Sequence, residues 1–211
     1  MTDNPHADEE MVVSGAPRGA ADAAIVALHG RGATAQGVTN LVEPLARHGV
    51  TVFAPQAARS RWYPYGPDAP TAENEPYVRS AVDRVAEAVT RAEAAGVPRA
   101  RVLVFGFSQG ATIACEFAAR RGGVGAVVAL AGGLLESARE YSATLSGTEV
   151  FLGVGREDDR VRIGGVRATA DVLASLGASV DLAVYDGVGH EVTDDEFARA
   201  NALLDAIRDA S

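Results

Sequence analysis

The sequence predicts an α/β protein with one doubly wound, mostly parallel sheet and helices on both of its faces. Two patterns in the 211 residues carry that expectation. Short, near-continuous apolar runs rich in Val and Ala read as strands buried on both faces. Longer segments with apolar residues at helical spacing separate them, and strand alternating with helix is the signature of such a sheet.

The strand candidates are residues 23–28, 50–54, 102–105, 125–130, 150–154 and 180–185. Val78, Val82, Val85 and Val89 fall on one helical face, with Pro76 as the expected start and Gly96 to Pro98 as the stop. Val166, Ala170, Leu173 and Leu176 form a second stripe that Gly177 ends. Thr193 and Glu196 have the spacing of a capping box, which opens a last helix burying Phe197, Leu204 and Ile207. Val38, Leu41, Val42 and Leu45 also look helical, but Pro44 sits inside that stripe, so the helix must start late or kink. Residues 1–10 are polar and acidic and read as a flexible tail, leaving 11–211 as one domain. A stretch rich in Pro and aromatics, residues 61–70, is part of a connection longer than the usual few residues, and such loops are often functional.

Composition narrows the function. The net charge of −9 argues against nucleic acid and against an anionic membrane surface, and leaves a small uncharged or cationic substrate open. No apolar run approaches the roughly 20 residues that span a bilayer, so no stable membrane insertion is expected. The start lacks the basic and apolar regions of a secretory signal, and a lone Cys115 fits a reducing compartment, so a cytoplasmic location is expected. Exposed apolar patches near the long loops would leave room for a homodimer.

The most informative segment is Gly106, Phe107, Ser108, Gln109 and Gly110, a G-x-S-x-G pentapeptide. Such a pentapeptide is weak evidence alone in a chain with 23 glycines. Here an apolar strand runs into it and a helical segment follows, which is the setting of a nucleophile elbow. The turn strains the serine backbone, so its neighbours two residues away must lack bulk. The bland reading is a glycine-rich turn with a serine helix cap.

A serine needs a base. Among four histidines, His190 lies in a glycine-rich loop between the last strand and the last helix, where a base from the far side of the sheet would arrive. His6 belongs to the tail, His48 precedes a helix-ending Gly49, and His29 reads as a structural brace of its loop. The third member should hold the imidazole from the loop after residues 150–154. There Glu157, Asp158 and Asp159 stand in a row, and both aspartates qualify by type. The same run could be a solvated loop. A metal site is disfavoured because only one histidine is near and no ligand spacing recurs. The order Ser, Asp, His is that of α/β-hydrolases. For the oxyanion, Gln109 supplies one backbone N–H by position, and Arg31 in the His29, Gly30, Arg31, Gly32 loop supplies the other through its amide.

Together, residues 28–32, 53–56, 62–65, 73–76, 106–110 and 189–190 resemble the phospholipase/carboxylesterase family of bacterial carboxylesterases and acyl-protein thioesterases. The resemblance runs from about residue 22 to 208 and follows the family's order. It implies an α/β-hydrolase fold, no cofactor, and hydrolysis of esters or thioesters through an acyl-enzyme on Ser108. It also favours Asp158 over Asp159, because Gly155, Asp158 and Val161 match the family's G-x-x-D-x-x-V pattern. Asp159 and Arg162 depart from it, since prolines are common there. Arg31 replaces an aliphatic residue usual in the thioesterases, and the Trp62–Tyr65 loop resembles a bacterial subgroup.

No dedicated apolar insertion is present to build a tunnel for long chains, so short or medium acyl, or aryl, esters are expected. Trp62 and Tyr63 would line the acyl or leaving-group pocket, with loop packing as the alternative. Lysophospholipase or acyl-protein thioesterase activity is the alternative of the same chemistry. Hydrolysis of cyclic esters, usually done with cysteine, ranks lower because Cys115 lies well inside a predicted helix. A catalytically silent binding protein is the alternative of another class, and such relatives typically lose a member of the set.

Overall fold

The apolar runs pair as one seven-stranded sheet in a computed structural model that describes residues 4–66, 69–136 and 138–209. The strands are β1 (Met11–Gly15), β2 (Ala23–Leu28), β3 (Val50–Pro55), β4 (Val102–Phe107), β5 (Ala126–Leu130), β6 (Glu149–Gly155) and β7 (Ser179–Tyr185). Their order is β1-β3-β2-β4-β5-β6-β7, with β1 antiparallel to β3 and every other pair parallel. Every residue of β2, β3 and β5 is buried, while β7 at one edge alternates towards solvent. The edge strand β1 was not foreseen. Its five residues are half exposed and carry too short an alternation to announce a strand.

Among the described residues, five α-helices flank the sheet: α1 (Ala35–Leu41), α2 (Thr71–Ala94), α3 (Gln109–Arg121), α4 (Ile163–Ser175) and α5 (Asp194–Asp209). Successive residues of a strand point to opposite faces, so the core divides into two layers. Val26, Val104 and Leu152 pack with Val82, Phe117 and Leu173 from α2, α3 and α4. Ile25, Leu103 and Phe151 pack with Val38, Leu204 and Ile207 from α1 and α5.

Three local expectations are corrected. Helix α2 starts at Thr71, five residues before Pro76, which lies inside it. The bond that Pro76 cannot make belongs to the carbonyl of Ala72, an exposed residue whose carbonyl water can solvate. Near Pro44 the chain neither starts late nor kinks: α1 ends at Leu41, and Pro44 enters a separate 3₁₀ turn, Glu43–Leu45. Phe197 is half-buried, though Leu204 and Ile207 are in the core. The capping box forms as read, with the Glu196 amide donating to Thr193 Oγ1 at 3.2 Å and the Thr193 amide to Glu196 Oε2 at 2.7 Å.

The acidic tail is not loose over its described part. Residues 4–10 form a turn against α2, and His6 is wholly buried. Its Nδ1 accepts from the Ala58 amide at 3.0 Å, so Nε2 carries the proton and donates to the Trp62 carbonyl at 3.0 Å. Residues 1–3, 67–68, 137 and 210–211 lie outside the described residues, including part of the tail and of the aromatic loop.

Candidate active site

Strand order reverses between β2 and β4: β3 lies on one side of β2 and all later strands lie on the other. A crevice opens at the carboxyl ends of the two strands where an α/β sheet reverses in this way. The ends here are Leu28, leading into His29 and Gly30, and Phe107, leading into Ser108.

Ser108 has φ 56° and ψ −120°, a backbone conformation that costs a non-glycine residue about 1–3 kcal/mol. Its amide donates to Leu130 at 2.9 Å and its carbonyl accepts from Thr112 at 3.2 Å, which holds the turn. The flanking glycines are required by space. A Cβ on Gly106 would stand 2.2 Å from the Gly110 oxygen, and one on Gly110 would stand 2.1 Å from the Leu28 oxygen. Strand, turn and helix can therefore close together only if both positions lack side chains.

His190 arrives from the loop after β7. That loop lies directly on the end of β6, where a Cβ on Gly155 would meet the Val188 oxygen at 2.1 Å. The Arg156 amide donates to Tyr185 at 2.8 Å and the Glu157 amide to Val188 at 3.0 Å, lacing the two loops together. The Phe107 ring packs on the imidazole with centroids 5.0 Å apart. His190 Nε2 lies 3.0 Å from Ser108 Oγ, and Nδ1 lies 2.8 Å from Asp158 Oδ2. A carboxylate only accepts, so Nδ1 holds the proton and Nε2 is free to accept from the serine.

The choice between the aspartates is geometric. The Asp158 side chain is fully buried, and its Oδ1 accepts from the Arg160 and Val161 amides at 2.8 and 3.0 Å. The Asp159 side chain is 87% exposed and faces Arg160 at 3.9 Å. The two missing prolines do not open the loop, because the Asp158 carboxylate itself holds the turn.

Gly30 places the His29–Gly32 loop beside Ser108: a Cβ there would lie 3.4 Å from Ser108 Cβ. Among the described residues, neither the Arg31 nor the Gln109 amide donates to a protein acceptor. Both N–H groups are thus available next to Ser108. His29 braces the loop as read. Its Nε2 accepts from the Ala57 amide at 3.1 Å, and its Nδ1–H donates to Gly30 at 2.8 Å. Burial lowers its pKa and keeps the ring neutral.

Trp62 requires a correction. It has no exposed surface, so a ligand cannot touch it in this conformation. Its indole donates to the His29 carbonyl at 2.7 Å, between the rings of His6 and His29, making it the floor under the His29–Gly32 loop. Tyr63 keeps 8% exposure, and its hydroxyl donates to Thr112 Oγ1 at 3.3 Å. Burial pushes that phenol above its ordinary pKa. The sequence reading missed the Gln109 side chain, which accepts from the Trp62 amide at 3.1 Å and donates to the Tyr63 carbonyl at 3.0 Å. It also missed Asn74, which brackets the Tyr65 backbone through both amide atoms. Both residues lie in segments that carry the family resemblance, 106–110 and 73–76, but nothing in the sequence assigns their side chains a task.

A family model described as Phospholipase/Carboxylesterase matches residues 8–207. The chain belongs to the phospholipase/carboxylesterase family. A phospholipase/carboxylesterase from Dyadobacter fermentans is 33% identical, covering 93% of this chain and 96% of its own, with a TM-score of 0.85. The Bacillus cereus carboxylesterase shares the fold at 17% identity, 95% coverage of both chains and a TM-score of 0.77. Acyl-protein thioesterase 2 of Zea mays does so at 23% identity, covering 95% and 99%, with a TM-score of 0.76. No curated protein matches the chain. As a member of this family with an α/β-hydrolase fold, the protein is a hydrolase of the esterase and thioesterase class. Among the described residues, no helix is long and apolar enough to cross a membrane, and no group of three or more His, Cys, Asp or Glu is placed to hold a metal ion.

Proposed function

We propose that this family member is a serine carboxylesterase acting on short or medium acyl, or aryl, esters. The observation that carries the reading is the continuous relay from Ser108 Oγ through His190 to Asp158 beside two uncommitted amides. His190 Nε2 takes the Ser108 proton as Oγ attacks the ester carbonyl, and the Arg31 and Gln109 amides bind the oxygen that becomes negative. The protonated imidazole, held by Asp158, gives its proton to the leaving alcohol, and the acyl group remains on Ser108. Water then enters, His190 deprotonates it, and the acid departs with Ser108 restored. A cytoplasmic setting belongs to the same proposal and rests on the single cysteine, which fits a reducing compartment. Cys115 is fully buried, and burial pushes its thiol well above the ordinary range, which suits an inert core residue.

The test is hydrolysis of p-nitrophenyl esters from acetate to palmitate by wild type and Ser108→Ala, with fluorophosphonate labelling of both. Wild-type turnover should peak at short chains and Ser108→Ala should lose turnover and label. A peak at long chains would move the reading to lysophospholipase or acyl-protein thioesterase activity. Turnover near wild type in Ser108→Ala would overturn the mechanism, and a folded wild type that takes no label would be a binding protein.

A further inference from the structure

The chain carries 28 acidic residues against 19 arginines, and no lysine. Most of its arginines are held by carboxylates: Arg47, Arg91, Arg120, Arg121, Arg139 and Arg199 each have one within 3.0 Å. Arg31, Arg59 and Arg61 are different. Among the described residues none of the three has a carboxylate partner, and all lie on two of the loops around Ser108, those that follow β2 and β3. Arg18, Arg79 and Arg167 also lack one among the described residues, but they lie outside these two loops.

The loops are tied to each other and to the nucleophile. The Gly32 amide donates to the Ser60 carbonyl at 2.7 Å, between Arg59 and Arg61 in the chain. Arg31 directly follows Gly30, whose backbone abuts Ser108. The Arg31 guanidinium is exposed and spends one donor on the Pro64 carbonyl at 3.2 Å, which anchors the charge at the rim. Its field reaches the Tyr63 phenol inside. The buried Glu116 carboxylate is already taken by Arg120, the Leu135 amide and Tyr141. Arg59 and Ser60 hold φ values of 54° and 55° without being glycine, and such outliers gather at ligand clamps.

The Arg31 side of the site therefore carries three arginines without a carboxylate partner among the described residues, on a molecule that is negative as a whole. We propose that the physiological ester carries a carboxylate, bound by the Arg31 guanidinium, with Arg59 and Arg61 adding to the field. A guanidinium fork matches a carboxylate with two parallel N–H···O bonds, a geometry that a neutral ester group does not return. The inference rests on the esterase reading and names its substrate class.

The test compares matched pairs that differ in one charge. 3-Acetoxybenzoate against its methyl ester puts the charge on the leaving group, and monomethyl adipate against dimethyl adipate puts it on the acyl side. Wild type should favour the anion in kcat/KM in at least one pair, with the preference shrinking at about 0.5 M salt. Arg31→Gln should cut that anion-to-neutral ratio about tenfold, the scale of one charge-assisted hydrogen bond. Arg31→Lys should restore part of it, and Arg59→Gln combined with Arg61→Gln should lower it less. Equal ratios in wild type and Arg31→Gln, or a preference for the neutral member in both pairs, would overturn the inference while Ser108-dependent turnover upholds the esterase. Absence of Ser108-dependent turnover on all four esters would overturn both.

Discussion

At the scale of single residues, the site depends on where side chains are absent as much as on where they are present. Gly155 lets the Val188–Gly189 backbone lie on the end of β6, and that contact sets the height of His190. Gly155→Ala should lower kcat by about a hundredfold, the cost of roughly an ångström of misplacement, with the thermal midpoint also falling. Steady-state kinetics beside a melting curve would check both. Asp158→Asn should cost about a thousandfold or more in kcat, because the amide supports the wrong imidazole tautomer. Asp159→Asn, at an exposed side chain, should stay within about twofold. The reverse ranking would mean that the loop rearranges in solution. Ser108 and His190 were legible from motif and position alone. Residue type alone left Asp158 and Asp159 open and the family pattern favoured Asp158, while only the loop's shape shows its carboxylate buried against His190.

At the scale of elements, the loop from Gln56 to Tyr65 holds its shape through groups distant in sequence. His6 clasps Ala58 and Trp62, the Gln109 side chain clasps Trp62 and Tyr63, and Asn74 clasps Tyr65. His6→Ala should leave the Ala58 amide and Trp62 carbonyl buried without partners, at about 1–3 kcal/mol. That is several degrees of midpoint at this chain length, readable by calorimetry. An unchanged midpoint would restore the flexible tail expected from the sequence. Nothing local marks His6 as structural, because acidic, polar neighbours look the same whether the segment is free or packed.

At the scale of the whole molecule, stability should depend on pH in two steps. Burial lowers the pKa of both His6 and His29, so the unfolded chain binds more protons there than the folded one. Their contribution is fully present above the ordinary histidine value of 6.5 and is lost as pH falls through the lower folded values. Burial alone would raise Glu75, but hydrogen bonds and charges from Arg120 and Arg139 outweigh it and hold the carboxyl at about 2. Its contribution is present above the ordinary value of 4.5 and disappears as pH falls towards 2. Urea unfolding from pH 8 to 3 should show a plateau, a decline starting near 6.5 and a steeper one below 4.5. His29→Gln should flatten the first decline, and a slope that ignores that change would place the titrating group elsewhere.

By itself the sequence determined the parallel sheet, most helices, the elbow and its histidine, because these rest on local signals: apolar periodicity, glycine where a turn leaves no room, a base at the end of the last strand. The tertiary structure decided the rest. It paired β1 with β3, buried Trp62 beneath the His29–Gly32 loop, folded His6 into the core and set the buried Asp158 carboxylate against His190. Each of these depends on contacts between segments from about 30 to more than 50 residues apart, and a periodicity confined to one segment carries no information about which surface another segment will cover.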